Sequence, residues 1–122
     1  MTTGFIVFAH GSRVESANEA VRSVAGELAR AGGLTHVEAA FLELGRPDLV
    51  AAAAGLVKRG AERIVVLPYF LTAGLHMERD LDPLIAQVAA QHPEVEVVAA
   101  PSLDGHPGLV QALLDRAREN DG

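Results

Sequence analysis

The stretch FIVFAHGSR, which runs from Phe5 to Arg13, determines the fold expected of this chain. Its first five residues are apolar without alternation, a pattern typical of a parallel strand that is covered on both faces. His10 and Gly11 end the run, and the residues after Arg13 place apolar side chains at helical spacing. A strand that leads directly into a helix is the repeating unit of an α/β protein.

The same unit recurs along the chain, because further apolar runs each precede an amphipathic segment. Short connections from strand to helix to strand require right-handed parallel crossovers. The sequence therefore predicts an α/β protein of a single domain, residues 1–122, with three layers: a four-stranded parallel flavodoxin-like sheet with helices on both faces. The predicted strands are 5–8, 37–42, 64–67 and 95–98, and the predicted helices carry apolar stripes within 14–31, 49–57, 84–89 and 109–117.

Composition limits the functions open to this chain. Its 122 residues include no cysteine, so any metal site must use His, Asp or Glu. The formal net charge of -6 argues against a nucleic-acid partner, since neutralising phosphates takes a clustered basic surface. The first apolar run is too short to span a bilayer and has neither a basic leader nor a cleavage site, so we expect a cytoplasmic protein without a membrane partner.

Metal-ligating side chains follow the ends of three predicted strands: His10, Glu43 and His76. Parallel strands bring these loops to one edge of the sheet, where α/β proteins place their ligand sites. Taken alone, His10 is equally typical of a strand-end histidine bonded to a carbonyl, and a lone loop glutamate is usually just exposed. Together, two imidazoles and one carboxylate suit a divalent metal such as cobalt, iron or nickel.

Directly after His10, the chain carries features that suit an anion. Gly11 lets the backbone approach a ligand closely, and the free amides of the helix that follows favour negative charge. Ser12 is interpreted both as the N-cap of that helix and as a ligand contact. Arg13 beside those amides suits recognition of a carboxylate.

The segment PYFLTAGLH, residues 68–76, is the second informative stretch. Tyr69, Phe70 and Leu71 form an apolar rim outside the sheet, which fits a flat apolar ligand, a subunit interface or a loop packed on its own hydrophobic residues. Gly74 allows the chain to fold back toward His10. His76 is predicted to precede the third helix.

The start of the third helix is predicted from three later residues. Asp80 and Asp82 are interpreted as caps, and Pro83 as a residue of the first helical turn.

In their order and spacing, these segments resemble the small class II tetrapyrrole chelatases, the short sirohydrochlorin cobaltochelatases and ferrochelatases. The resemblance covers nearly the whole chain. It rests on HGSR at 10–13, FLE at 41–43, PYFL at 68–71 with Gly74 and His76, Asp80 with Pro83, and Leu103 with GHP at 105–107.

The resemblance implies an enzyme that inserts Co²⁺, Fe²⁺ or Ni²⁺ into sirohydrochlorin for siroheme or cobalamin synthesis, with the metal as substrate and no organic cofactor. It also implies that His10 and His76 bind the metal and accept protons, with Glu43 as a third ligand. Larger class II chelatases hold the tetrapyrrole between two similar lobes and this chain supplies one, so a homodimer is expected. From the residues themselves, we expect the substrate to contact Ser12, Arg13, Tyr69, Phe70, Leu71 and Gly74.

Two other functions stay open at this point. A strand followed by His10 and Gly11 is similar to the histidine phosphatases, but those enzymes place an arginine before the histidine, and here the position is Ala9. A metal or tetrapyrrole carrier without catalysis fits the same ligands, because a His and Glu site can bind a metal without turnover. Insertion measured against metal binding alone separates a carrier from an enzyme.

Overall fold

Strands and helices alternate from one end of the chain to the other in this computed structural model, which describes residues 1–71 and 75–120, with the backbone alone for 75–78. The elements are β1 (Thr3–Ala9), α1 (Glu15–Gly32), β2 (Val37–Phe41), α2 (Leu49–Lys58), β3 (Arg63–Pro68), α3 (Leu75–Gln91), β4 (Glu96–Ala99) and α4 (Pro107–Glu119). The four strands form one parallel sheet, and its order is β2-β1-β3-β4. The predicted α/β class and the four-stranded parallel sheet are therefore confirmed.

The central strand β1 is covered on both faces, as its continuous apolar run predicts. Ile6 and Phe8 point into a core formed with α2 and α3, where Leu49, Leu56 and Val88 are also buried. Val7 and Ala9 point to the opposite face, where they meet Ala25 of α1 and Phe41 of β2. The prediction of helices on both faces of the sheet is confirmed.

Local signals set most of the helix boundaries. Helix α1 ends at Gly33, whose φ of 61° is left-handed and therefore suits glycine. Helix α2 begins after Asp48, whose carboxylate accepts a hydrogen bond from the N–H of Ala51 at 2.8 Å. The end of α1 and the start of α2 agree with the boundaries predicted from the sequence to within one or two residues.

Helix α3 begins earlier than the sequence indicates. The interpretation of Asp80 and Asp82 as caps and of Pro83 as a first-turn residue is wrong, because α3 begins at Leu75 and Pro83 lies inside it. Proline lacks the N–H of an interior helical residue and is commonest in the first turn, which explains the misplaced start. His76 is consequently the second residue of α3 and not a loop residue before it.

Helix α4 does not cover the sheet as the other helices do. Its apolar residues Val110, Leu113 and Leu114 are 68%, 71% and 40% exposed. Within the described residues, α4 buries no side chain and makes no extensive contact with another helix or strand. Even so, neither α4 nor any other helix in the described ranges has the length and apolar content needed to cross a bilayer.

Candidate functional site

Backbone pairing continues past the ends of the central strands and brings two predicted ligands together. The N–H of Leu42 donates to the carbonyl of Ala9 at 2.9 Å, and the N–H of Glu43 donates to the carbonyl of His10 at 3.1 Å. On the other side of β1, the N–H of Tyr69 donates to the carbonyl of Phe8 at 2.7 Å. His10, Glu43 and Tyr69 therefore meet at one edge of the sheet, as predicted from the parallel topology.

The side chains of His10 and Glu43 face each other at this edge. Nδ1 of His10 lies 4.0 Å from Oε1 of Glu43, and the two side chains are 62% and 60% exposed. Two ligand atoms that each lie about 2.1 Å from a metal in tetrahedral geometry are separated by roughly 3.4 Å. A shift of less than about 1 Å in two exposed side chains would give this separation, so the distance between the two atoms is compatible with ligation of a single ion.

Gly11 allows the loop after β1 to pass directly over the loop after β2. Its φ is 96°, and a Cβ added to it would lie 1.6 Å from the carbonyl oxygen of Glu43. Both features exclude a side chain at this position. Gly11 is predicted to let the backbone approach a ligand, and the group that it approaches in the structure is the second loop of the same chain.

Asn18 lies beneath both loops and was missed as a site residue. It is the buried polar residue of the described chain, with 0% exposure. Its Oδ1 accepts from the N–H of Ser12 at 2.9 Å, and its Nδ2 donates to the carbonyls of Ser12 at 2.8 Å and Leu44 at 2.9 Å. The signal was present in the sequence, because Asn18 stands four residues after Val14 and three before Val21 in the apolar stripe.

Arg22, one turn further along α1, holds the next part of the second loop. Its guanidinium donates to the carbonyl of Arg46 at 2.8 Å and lies 5.2 Å from the centre of the Phe41 ring. It also donates to Glu15 at 2.6 Å. The hydrogen bond from Arg22, aided by one from Asn18, holds the pKa of the Glu15 carboxyl below its ordinary value.

The loop after β1 differs in detail from its prediction as an anion site. Ser12 is not the N-cap of α1, a position that Val14 occupies without a side-chain cap. Instead, the Ser12 hydroxyl accepts a hydrogen bond from the N–H of Val14 at 3.0 Å. Glu15 places a carboxylate in the first turn of α1, which competes with an anion for the positive helix end. Arg13 is exposed beside this turn.

The apolar residues of the segment 68–76, which begins at the end of β3, differ in their burial. Phe70 is partly buried and packs against the core under α2 and α3. Tyr69 and Leu71 are 39% and 64% exposed. Gly74 lies outside the described residues, and so does the side chain of His76.

Two of the three predicted metal ligands, His10 and Glu43, lie close together in the structure. Among the side chains that the structure describes, no group of three or more His, Asp or Glu residues is placed to hold a metal ion. The third predicted ligand, His76, belongs to the part of the chain whose side chains are not described. Next to Glu43 lies an open depression of about 770 Å³, also lined by Leu42, Gly45, Arg46, Pro47, Asp48 and Ala51.

Comparison with known proteins finds one family and relatives with closely related names. The CbiX family model matches residues 4–120. A sirohydrochlorin cobaltochelatase of Sulfolobus acidocaldarius is 31% identical over 95% of this chain and 90% of that protein. The chloroplastic sirohydrochlorin ferrochelatase of Arabidopsis thaliana is 31% identical over 93% of this chain but 50% of its own length.

A solved structure gives the same result. The crystal structure of the sirohydrochlorin chelatase SirB from Bacillus subtilis subspecies spizizenii, in complex with cobalt, matches 98% of this chain with a TM-score of 0.90 and 25% identity. The match covers 51% of the SirB chain. The chain therefore corresponds to about half the length of SirB and of the Arabidopsis protein, and to nearly all of the Sulfolobus protein.

Proposed function

The chain belongs to the CbiX family. We propose that it is a sirohydrochlorin chelatase, which inserts a divalent metal ion into sirohydrochlorin. The observation that carries the proposal is the facing pair of His10 and Glu43, 4.0 Å apart at the carboxyl edge of the sheet. Imidazole and carboxylate suit Co²⁺ and Fe²⁺, the ions that the relatives' names imply.

The reaction exchanges two protons for one divalent ion and changes no oxidation state. The macrocycle loses the protons of two pyrrole N–H groups as its nitrogens bind the metal. In our proposal, His10 and Glu43 hold the partly dehydrated ion over the ring, and His76, the second residue of α3, is the third ligand. The two histidines accept the released protons, since neutral imidazole both binds metals and acts as a base near neutral pH.

The exposed residues around this pair supply the proposed contacts to the macrocycle. Arg13 is exposed beside the loop that carries His10, where its guanidinium would pair with a peripheral carboxylate. Tyr69 and Leu71 offer apolar surface to the ring. Ser12 and Phe70 support the site less directly, because the Ser12 hydroxyl is engaged by Val14 and Phe70 packs against the core. Gly74 is also among the proposed substrate contacts.

A homodimer would supply the second lobe of the site. The exposed apolar face of α4 favours this arrangement, because such a face is typical of a subunit interface. Its partner surface on the other copy would be the apolar groove of about 300 Å³ between α1 and the end of β3. The residues that line this groove are Val7, Val24, Leu28, Leu67, Pro68, Tyr69, Pro101 and Leu103.

The finer features of the assignment also belong to the proposal. Ni²⁺ joins Co²⁺ and Fe²⁺ as a candidate substrate, because His and carboxylate ligands accept all three ions. The reaction is that of a lyase in siroheme or cobalamin synthesis, with no organic cofactor, and its expected location is the cytoplasm.

Anaerobic absorbance of sirohydrochlorin with Co²⁺, Fe²⁺ or Ni²⁺ tests the proposed function. The wild type is compared with a blank without protein and with the His10→Ala, His76→Ala double variant. We expect the wild type to accelerate insertion and the double variant to fall to the blank rate. Clear metal binding without acceleration by any of the three ions would instead indicate a carrier.

A further inference from the structure

Asn18 connects the two loops that carry His10 and Glu43, although it reaches neither side chain. Its amide holds both backbone groups of Ser12, two residues after His10, and the carbonyl of Leu44, one residue after Glu43. We infer that Asn18 is a positioning residue, which sets the distance between His10 and Glu43 and thereby the affinity for the metal substrate. This inference rests on the proposed function.

The hydrogen bonds of Asn18 are made where water cannot replace them. The side chain is 0% exposed, and its Nδ2 also lies 3.3 Å from Oε2 of Glu15. A buried amide that loses its partners is destabilising, since no solvent compensates for the lost bonds. The loops therefore stay in the one arrangement that satisfies this amide.

The second loop depends on such a contact because its backbone is strained. Leu44 has a φ of 59°, a left-handed conformation that non-glycine residues rarely adopt. Its carbonyl is the group that Asn18 binds at 2.9 Å. Gly45 follows, and a Cβ added there would lie 3.1 Å from Nδ2 of Asn18, so the loop sits directly on the amide. Without the amide, Leu44 is free to relax and to carry Glu43 away from His10.

The effect on metal binding follows from the exposure of the two ligands. The side chains of His10 and Glu43 are 62% and 60% exposed, so neighbouring side chains do little to fix their separation. Their backbones must supply it. Groups that orient metal ligands from behind typically change metal affinity by about 10- to 100-fold when removed.

Direct Co²⁺ titration by calorimetry, without tetrapyrrole, tests the role of Asn18 in the full chain. We expect Asn18→Ala and the isosteric Asn18→Asp to raise the Kd for Co²⁺ about tenfold or more. Steady-state insertion should show the same rise in KM for Co²⁺ and little change in KM for sirohydrochlorin. A double-mutant cycle tests whether Asn18 acts through Glu43. With Glu43→Ala already present, Asn18→Ala should change the Kd for Co²⁺ by less than about threefold.

The matched control is Ala25→Gly, a buried position on the same helix that contacts neither loop through a side-chain hydrogen bond. It weakens α1 by about 1 kcal/mol and should leave the Kd for Co²⁺ unchanged. A folded Asn18→Ala variant with the wild-type Kd for Co²⁺ overturns the inference. An equal loss of Co²⁺ affinity in Ala25→Gly also overturns it, and so does an effect of Asn18→Ala that is as large with Glu43→Ala present as without it. A wild type that binds Co²⁺ but inserts no metal refutes the proposed function instead.

Discussion

The backbone N–H of Glu43 donates to the carbonyl oxygen of His10 at 3.1 Å, so the two proposed ligands are held together by main-chain pairing. Their side chains lie at the solvent-exposed edge of the sheet and contribute nothing to the hydrophobic core. Chemistry and stability are therefore separable at this edge. A substitution that removes a ligand atom should leave the fold intact.

The first prediction follows from that separation. Glu43→Gln keeps the shape of the side chain but removes its charge, so it should lower the rate of Co²⁺ insertion at least about tenfold. His10→Ala should abolish insertion. Thermal unfolding of both variants should match the wild type within about 0.5 kcal/mol, as is usual for exposed positions. A Glu43→Gln enzyme with normal kcat/KM for Co²⁺ would remove Glu43 from the mechanism.

Gly11 provides a test of the loop contact itself. Gly11→Ala is strained by its φ of 96° and also forces a Cβ to within 1.6 Å of the Glu43 carbonyl. Gly60→Ala is the matched control, because its φ is 99° and nothing lies within 4 Å of the added Cβ. Both variants should lose about 1 to 2 kcal/mol from the left-handed backbone.

Gly11→Ala should lose more stability than that, and it should also lose metal-insertion activity, because its Cβ forces a loop of the site to move. Gly60→Ala should show neither further loss. Chemical denaturation and the insertion assay measure the two effects. Equal behaviour of the two alanine variants would show that the close approach of the loops has no bearing on activity.

The sheet and most helix ends were predictable because their signals are local. The unbroken apolar run of β1 and the carboxylate of Asp48 act within a few residues of their position in the sequence. The start of α3 was not predictable, since Pro83 gives the same signal in a first turn and inside a helix. The exposure of α4 was not predictable either, because an apolar stripe has the same spacing whether it packs on a core or on another subunit.

At the site, sequence position was enough to predict that His10 and Glu43 would meet. Both follow parallel strands, and adjacent parallel strands end at the same edge. The apolar stripe of α1 signals that Asn18 is buried, but it does not signal what Asn18 does. Its role depends on a hydrogen bond to Leu44, 26 residues away, and on a left-handed turn that the residue types do not announce.

Glu15 predicts a pH dependence of stability. Its pKa is lowered in the folded chain, chiefly by the hydrogen bond from Arg22, so its ionised form stabilises the fold. That contribution is present above the ordinary pKa of 4.5 and is lost as the pH falls through the lower folded value. Glu15→Gln should therefore reduce the Tm at neutral pH and have progressively less effect in acid.

The cause of this dependence can be checked with Arg22→Met. In that background, Glu15→Gln should change the Tm much less at neutral pH, because the main partner of the carboxylate is absent. A Tm difference between wild type and Glu15→Gln that persists undiminished in acid would contradict the assignment to this carboxylate.

The exposed face of α4 predicts how the chain assembles. Leu113 is 71% exposed, so Leu113→Glu gives up little buried surface within the described chain and should leave the unfolding temperature of the monomer nearly unchanged. A charge in the middle of an apolar interface, by contrast, is strongly unfavourable. Light scattering should therefore show a dimer for the wild type and a monomer for Leu113→Glu, with loss of insertion because the second lobe is missing.

Ala112→Glu adds the same charge about 100° around the helix from Leu113 and outside its apolar face, so it should remain a dimer with full activity. A dimeric Leu113→Glu would exclude this face of α4 from the interface, and an active monomer would show that one lobe is enough for metal insertion.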